Sequence, residues 1–133
     1  MAEKIDYTLR PIGVIQSLLS NVTEAPKQGS LGAPEAWIII NENVREGIKD
    51  IRAGDKIIVL TWLHLGDRSV LSVYPQDNKN NPLTSVFATR SADRPNPIGL
   101  HPVTVVAVEA GAIKVSPMEA IDGTPVLDMK PVI

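Results

Sequence analysis

Proline and glycine recur so often along this chain that no apolar run has room to become a long helix. Eleven Pro and nine Gly are spread over 133 residues, and the stretches between them are short and rich in Val and Ile. Proline fixes φ and removes a backbone donor, so it favours turns and strand ends over helix interiors. β-Branched residues suit the pleated, half-buried surface of a sheet. The pattern predicts strands at Ile12–Leu18, Ala36–Asn41, Lys56–His64, Ser69–Tyr74, Ser85–Thr89, Val103–Glu109 and Ala112–Ser116. Between the last two, Ala110-Gly111 reads as a tight hairpin turn. Only Asn43–Ile51 has helical spacing, with Val44, Ile48 and Ile51 three and four apart and Asn43 as its candidate N-cap. Gly47 counts against that helix. Residues 24–34, 75–82 and 90–102 read as loops. The expected fold is therefore mainly β: a compact single-domain β-barrel of short strands with at most one short helix.

Composition narrows the function classes. A chain of 133 residues can bury a real core without a disulfide or metal staple. Cysteine is absent, which removes disulfides, thiolate nucleophiles and thiolate metal sites together. His64 and His101 share no ligand spacing, so no metal is expected. No apolar run approaches the roughly 20 residues of a membrane helix. The opening MAEKIDYTLR lacks the apolar core of a signal peptide. The expectation is a soluble, cytoplasmic protein with no membrane partner. Thirteen Lys and Arg face fifteen Asp and Glu, a net charge of −2, whereas a domain that only grips nucleic acid backbone is usually basic. At 4% aromatic residues, a broad base-stacking platform is not expected either.

Arg94–Leu100, RPNPIGL, is the most informative segment. Pro95, Pro97 and nearby Pro102 each fix φ and restrain the preceding residue. Such a stiff loop presents fixed N–H and C=O groups to a ligand with little loss of entropy. A rigid turn that merely closes the barrel explains the prolines as well. Arg90 and Arg94, with Ser91 and Asp93 between them, concentrate polar groups there and favour the ligand reading.

The wider segment Phe87–Leu100, FATRSADRPNPIGL, resembles the signature FATRSPxRPNPIGL of the TrmO (TsaA-like) family. Those proteins are S-adenosylmethionine-dependent tRNA methyltransferases. Asp122–Pro131, DGTPVLDMKP, is similar to the family's second signature, DGTPVLDIKP. Pro11-Ile12-Gly13-Val14-Ile15 resembles its opening strand and Pro26-Lys27-Gln28 its PRQ element. Matches in the right order span nearly the whole chain, far more specific than a lone glycine pattern.

The resemblance implies a methyl donor, S-adenosylmethionine, held in a β-barrel cleft near a homodimer interface. The implied donor-binding residues are Pro26, Lys27, Gln28, His64, Leu65, Arg90, Leu100, Ser116, Pro117, Met118 and Glu119. Lys27, Gln28 and Arg90 are suited to the donor's carboxylate through charge-assisted hydrogen bonds. Glu119 and Trp62 are candidates for its sulfonium. Methyl transfer is an in-line displacement, so catalysis is chiefly alignment. An adenine amine must also lose a proton, and Asp122 or Asp128 is the candidate acceptor. Each residue has a plainer reading: His64 as a partly buried polar group, Trp62 as core, Asp122-Gly123 as a turn, and Asp128 as an ion-pair partner.

Departures from the family pattern bear on the substrate. PKQ replaces PRQ, which turns a fork of donors into a point charge. His101 stands where serine commonly follows RPNPIGL. The chain is expected to be a single domain, residues 1–133, without the C-terminal tRNA-binding domain of bacterial members. The leading expectation is N6-methylation of threonylcarbamoyl-adenosine in tRNA. A small-molecule N- or O-methyltransferase and a non-catalytic donor-binding module are the alternatives.

Overall fold

A computed structural model describes residues 3–19 and 33–133. Pro26, Lys27 and Gln28 lie outside the described residues. Among the described residues the strands are β1 (Gly13–Gln16), β2 (Ala36–Ile40), β3 (Lys56–Trp62), β4 (Ser72–Val73), β5 (Thr84–Ser85), β6 (Ile98–Glu109), β7 (Ala112–Ser116) and β8 (Pro125–Pro131). Six of them close a barrel in the order β1-β2-β7-β6-β3-β8, every pairing antiparallel. β4 and β5 form a separate two-stranded ribbon.

Strict alternation builds the barrel. Along β3, Ile57, Val59 and Thr61 point inward, while Ile58, Leu60 and Trp62 are less buried on the outer face. Ile15, Ile38, Ile40, Val105, Ile113 and Val115 fill the interior at 1% exposure or less. Each contributes about 1.5–3 kcal/mol relative to an exposed side chain. Two bulges let the sheet curve: Val106 is extra in β6 against β7, and Leu127 is extra in β8 against β3. The β6–β7 hairpin turns at Gly111, whose φ of +77° is open to glycine at no steric cost. Arg45 packs against that same glycine, since a Cβ there would lie 2.6 Å from the guanidinium carbon.

Five elements differ from the sequence expectation, the first being Ser69–Tyr74, which is a strand only at Ser72–Val73. β6 begins at Ile98 rather than Val103 and runs straight through Pro102. Residues 42–48 form a 3₁₀ helix, and the residue before it is Asn41, whose side chain donates to the Pro11 carbonyl at 2.9 Å instead of capping. Val44 and Ile48 still face the core, as their spacing predicts. Ser85–Thr89 is a strand only at Ser85, after which Val86–Ala88 turns as a 3₁₀ helix. β8 has no counterpart among the expected strands, because Asp128, Lys130 and prolines at both ends interrupt its apolar alternation.

Candidate functional site

The strand ends gather the residues of interest at one mouth of the barrel. Trp62 ends β3 opposite Ile98, which starts β6. β7 ends at Ser116, and β2 starts beside it, with Ala36 opposite Val115. From Ser116 the chain crosses the mouth through Pro117, Met118 and Glu119 before returning to β8. This crossing also anchors both flanks of the β1–β2 connection: the Met118 N–H donates to the Pro34 carbonyl (2.9 Å) and the Asp122 N–H to the Leu19 carbonyl (2.6 Å). His64 and Leu65 follow β3 at the same mouth, both exposed.

One side of β6 is left open there. The Leu63 N–H donates to the Pro97 carbonyl (2.7 Å) and the Val105 N–H to Asp55 (2.8 Å). This phase directs the backbone of odd-numbered β6 residues toward β3 and that of even-numbered residues toward β7. β7 reaches only as far as Thr104. Pro102 is therefore tolerated, since its missing N–H falls where no strand waits for it. The Ile98 N–H turns back to Asn96 (2.7 Å). Leu100 keeps its N–H and C=O without a strand partner among the described residues.

Beside this edge lies a buried polar chain. Thr61 Oγ1 is 2.7 Å from His101 Nε2, and His101 Nδ1 is 2.5 Å from Glu119 Oε1. His101 is 3% exposed and Thr61 is fully buried, while the Glu119 side chain retains 16% exposure. Glu119 has no Lys or Arg partner among the described residues.

The proline loop packs on the segment after β3. Arg68 Nε donates to the Pro95 carbonyl at 2.6 Å, and the same guanidinium reaches Asn96 Oδ1 at 3.1 Å and stacks 5.1 Å from the Trp62 ring centre. Asp93 accepts the Asp67 N–H at 2.8 Å. Hydrogen bonds from the Ser69 hydroxyl and then its backbone N–H hold the Asp67 carboxyl below the ordinary aspartate range. Arg94 turns into its own loop, donating to Thr89 and Ser91 carbonyls at 2.9 and 3.0 Å. Arg90 is exposed and makes no hydrogen bond or ion pair among the described residues.

The single chain has a cleft of about 490 Å³ lined by Arg45, Lys49, Arg52 and Gly111 at the opposite barrel end. Another of about 360 Å³ lies between Tyr7, Leu9, Trp62 and Leu127 on the outer face. Neither is lined by residues 94–100. Leu65, Leu71, Leu83, Phe87, Ile98 and Leu100 are exposed apolar side chains.

The two aspartates separate. Asp122 continues the crossing segment from Glu119 and accepts the Ser17 N–H at 3.0 Å. Asp128 faces outward on β8, 3.6 Å from Lys130 Nζ. It lies beside Leu60, which pairs with Leu100 on its other side. Two strand spacings, about 10 Å, thus separate Asp128 from Leu100. The sequence pointed to His64 for the site, marked His101 only as a departure from the family pattern without a metal-ligand spacing, and gave no sign of Thr61. The available signal was the inward phase of β6, which puts a histidine at a core position.

A closed six-stranded barrel with polar groups and an open strand edge at one mouth defines a small β-barrel domain. The chain belongs to the tRNA-methyltransferase O N-terminal domain family, whose model matches residues 14–133. A probable S-adenosyl-L-methionine-binding protein of Archaeoglobus fulgidus is 41% identical over 124 residues, covering 92% of this chain and 33% of that one. A protein of the same description from Methanothermobacter thermautotrophicus is 37% identical over 128 residues, covering 96% of this chain and 90% of that one. The crystal structure of TrmO from Pseudomonas aeruginosa matches with a TM-score of 0.76 at 27% identity, covering 97% of this chain and 57% of that one. The chain thus spans a third of the Archaeoglobus relative and little over half of TrmO, and nearly all of the Methanothermobacter protein.

Proposed function

We propose that this chain is an S-adenosylmethionine-dependent methyltransferase that modifies N6 of threonylcarbamoyl-adenosine in tRNA, beside the anticodon. Family membership supports the chemistry, and relatives named for S-adenosylmethionine binding support the donor. The observation that carries the reading is the open backbone edge at Leu100 next to the Glu119 carboxylate. A paired backbone donor and acceptor suit the edge of an adenine ring, and a carboxylate without a Lys or Arg partner among the described residues suits a cation. Arg90, with a free guanidinium among the described residues, suits the donor's carboxylate. Lys27 and Gln28 join it in this reading, as do His64, Leu65 and Ser116 through Met118 at the same mouth. The donor supplies an activated methyl group; the chain's part is to hold donor and acceptor in line. Asp122, on the crossing segment, is the better placed of the two aspartates to take a proton, because Asp128 already faces Lys130 on the outer wall.

A homodimer belongs to this reading. Phe87 (77% exposed), Leu65 and Leu100 are exposed apolar side chains, and exposed apolar surface suits an interaction site. A second copy seated there would complete the donor cradle, since neither cleft described above is lined by residues 94–100. Light scattering should report a dimer; a monomer that binds donor normally removes the shared cradle. A cytoplasmic location, where tRNA is modified, accompanies the proposal.

The decisive assay incubates the protein with labelled S-adenosylmethionine and total tRNA from a strain lacking its own enzyme, followed by nucleoside mass spectrometry. A methylated threonylcarbamoyl-adenosine is expected. Tight donor binding with no transfer would instead favour a donor-binding module, a second reading prompted by the names of relatives that this chain covers nearly in full.

A further inference from the structure

We propose that Thr61 and His101 form an internal brace that fixes the Glu119 carboxylate at the barrel mouth, and that this carboxylate reads the positive sulfonium of the methyl donor. The site would thereby favour the charged donor over the neutral thioether left after transfer. The inference rests on the reading that the donor binds at this mouth, and it adds two positioning residues that the family resemblance does not supply.

The barrel interior is otherwise almost wholly apolar. Its buried polar residues among those described are Thr61, His101 and Thr124, and Thr124 satisfies itself locally on the Ile121 carbonyl at 2.8 Å. Burying an imidazole is costly unless both ring nitrogens are matched. Here both are: Nε2 to Thr61 and Nδ1 to Glu119. The space for this chain is made by Gly99, where a Cβ would lie 2.3 Å from Thr61 Oγ1 and 2.7 Å from His101 Nε2. Three inward positions on two strands thus combine to place one ring nitrogen against one carboxylate oxygen.

That tether engages only Oε1. Oε2 has no hydrogen-bond partner among the described residues, and the side chain reaches the surface. A threonine hydroxyl can donate to Nε2 while the Nδ1–H donates to the carboxylate, which leaves the imidazole neutral and the carboxylate charged. A fixed negative charge with no lysine or arginine beside it among the described residues matches a sulfonium. That group has no N–H or O–H to donate and is recognised only through its charge. Side-chain motion would blur such recognition; the brace removes it.

Calorimetry with S-adenosylmethionine and S-adenosylhomocysteine on the full chain tests this. Glu119→Gln keeps the hydrogen bond to His101 but loses the charge. It should weaken S-adenosylmethionine binding by about tenfold and leave S-adenosylhomocysteine within about twofold. His101→Leu should abolish the same preference, and His101→Asn, whose amide nitrogen can stand in for Nδ1–H, should restore part of it. Equal losses for both nucleosides in Glu119→Gln would mean that the carboxylate holds a group they share, and unchanged affinities for both would mean that it holds neither; each overturns the proposal. Wild-type protein that binds neither nucleoside overturns the donor-site reading itself and this inference with it.

Discussion

Gly99 and Thr61 stand directly opposite each other on β6 and β3, so close that a single methyl group on Gly99 would lie 2.3 Å from the threonine hydroxyl. The same methyl would sit 2.7 Å from His101 Nε2 and 3.1 Å from a Leu63 methyl. Thr61 and His101 are both buried and hydrogen-bonded to each other. Gly99→Ala should therefore destabilise the barrel by about 1–3 kcal/mol. In urea denaturation, adding Thr61→Ala should recover part of that loss, because the two sites are in contact. Strict additivity of the two substitutions would show that the crowding lies elsewhere.

Arg94 stiffens the proline loop from within, through its bonds to the Thr89 and Ser91 carbonyls. It is half-buried, so Arg94→Ala should lower the free energy of local loop opening by about 1–2 kcal/mol and leave global stability nearly unchanged. Hydrogen exchange should accelerate across residues 89–93 with the melting temperature little changed. Unaltered exchange in that stretch would mean that the prolines alone hold the loop.

Asp67 gives a titration test of the same region. Its carboxylate is held low in pKa by the Ser69 hydroxyl and then the Ser69 N–H. A lowered folded-state pKa means that the contact supports the fold above the unfolded aspartate value and is lost as pH falls through the folded one. At neutral pH it is fully formed. Ser69→Ala should raise the Asp67 pKa in a carboxyl-detected NMR titration, and no movement would show that the Ser69 hydroxyl is not its cause.

How much of this was legible in the sequence follows from physical range. Alternation is local, so β2, β3 and β7 could be read from runs such as AWIII and AIKVS. The start of β6 could not. Pro97 and Pro102 look like loop residues until it is known that β7 stops short of them, which is a fact about a neighbouring strand. β8 hid for a related reason: its polar outer residues are tolerated because β3 and β1 flank it. At the site, the family motifs located the mouth residues, and His64, Leu65, Leu100 and Ser116–Glu119 do gather there. The Thr61–His101–Glu119 chain links positions 40 and 18 residues apart. No short motif carries that pairing; only the barrel register creates it.

The proposed site of the methyl donor is the mouth between Leu100 and Glu119. Its most direct test is amide chemical-shift mapping on labelled protein titrated with S-adenosylmethionine. The largest shifts should fall on Leu100, Met118 and Glu119, with Arg90 and Leu65 following. Shifts centred on Arg45, Lys49 and Gly111, at the opposite end of the barrel, would contradict it.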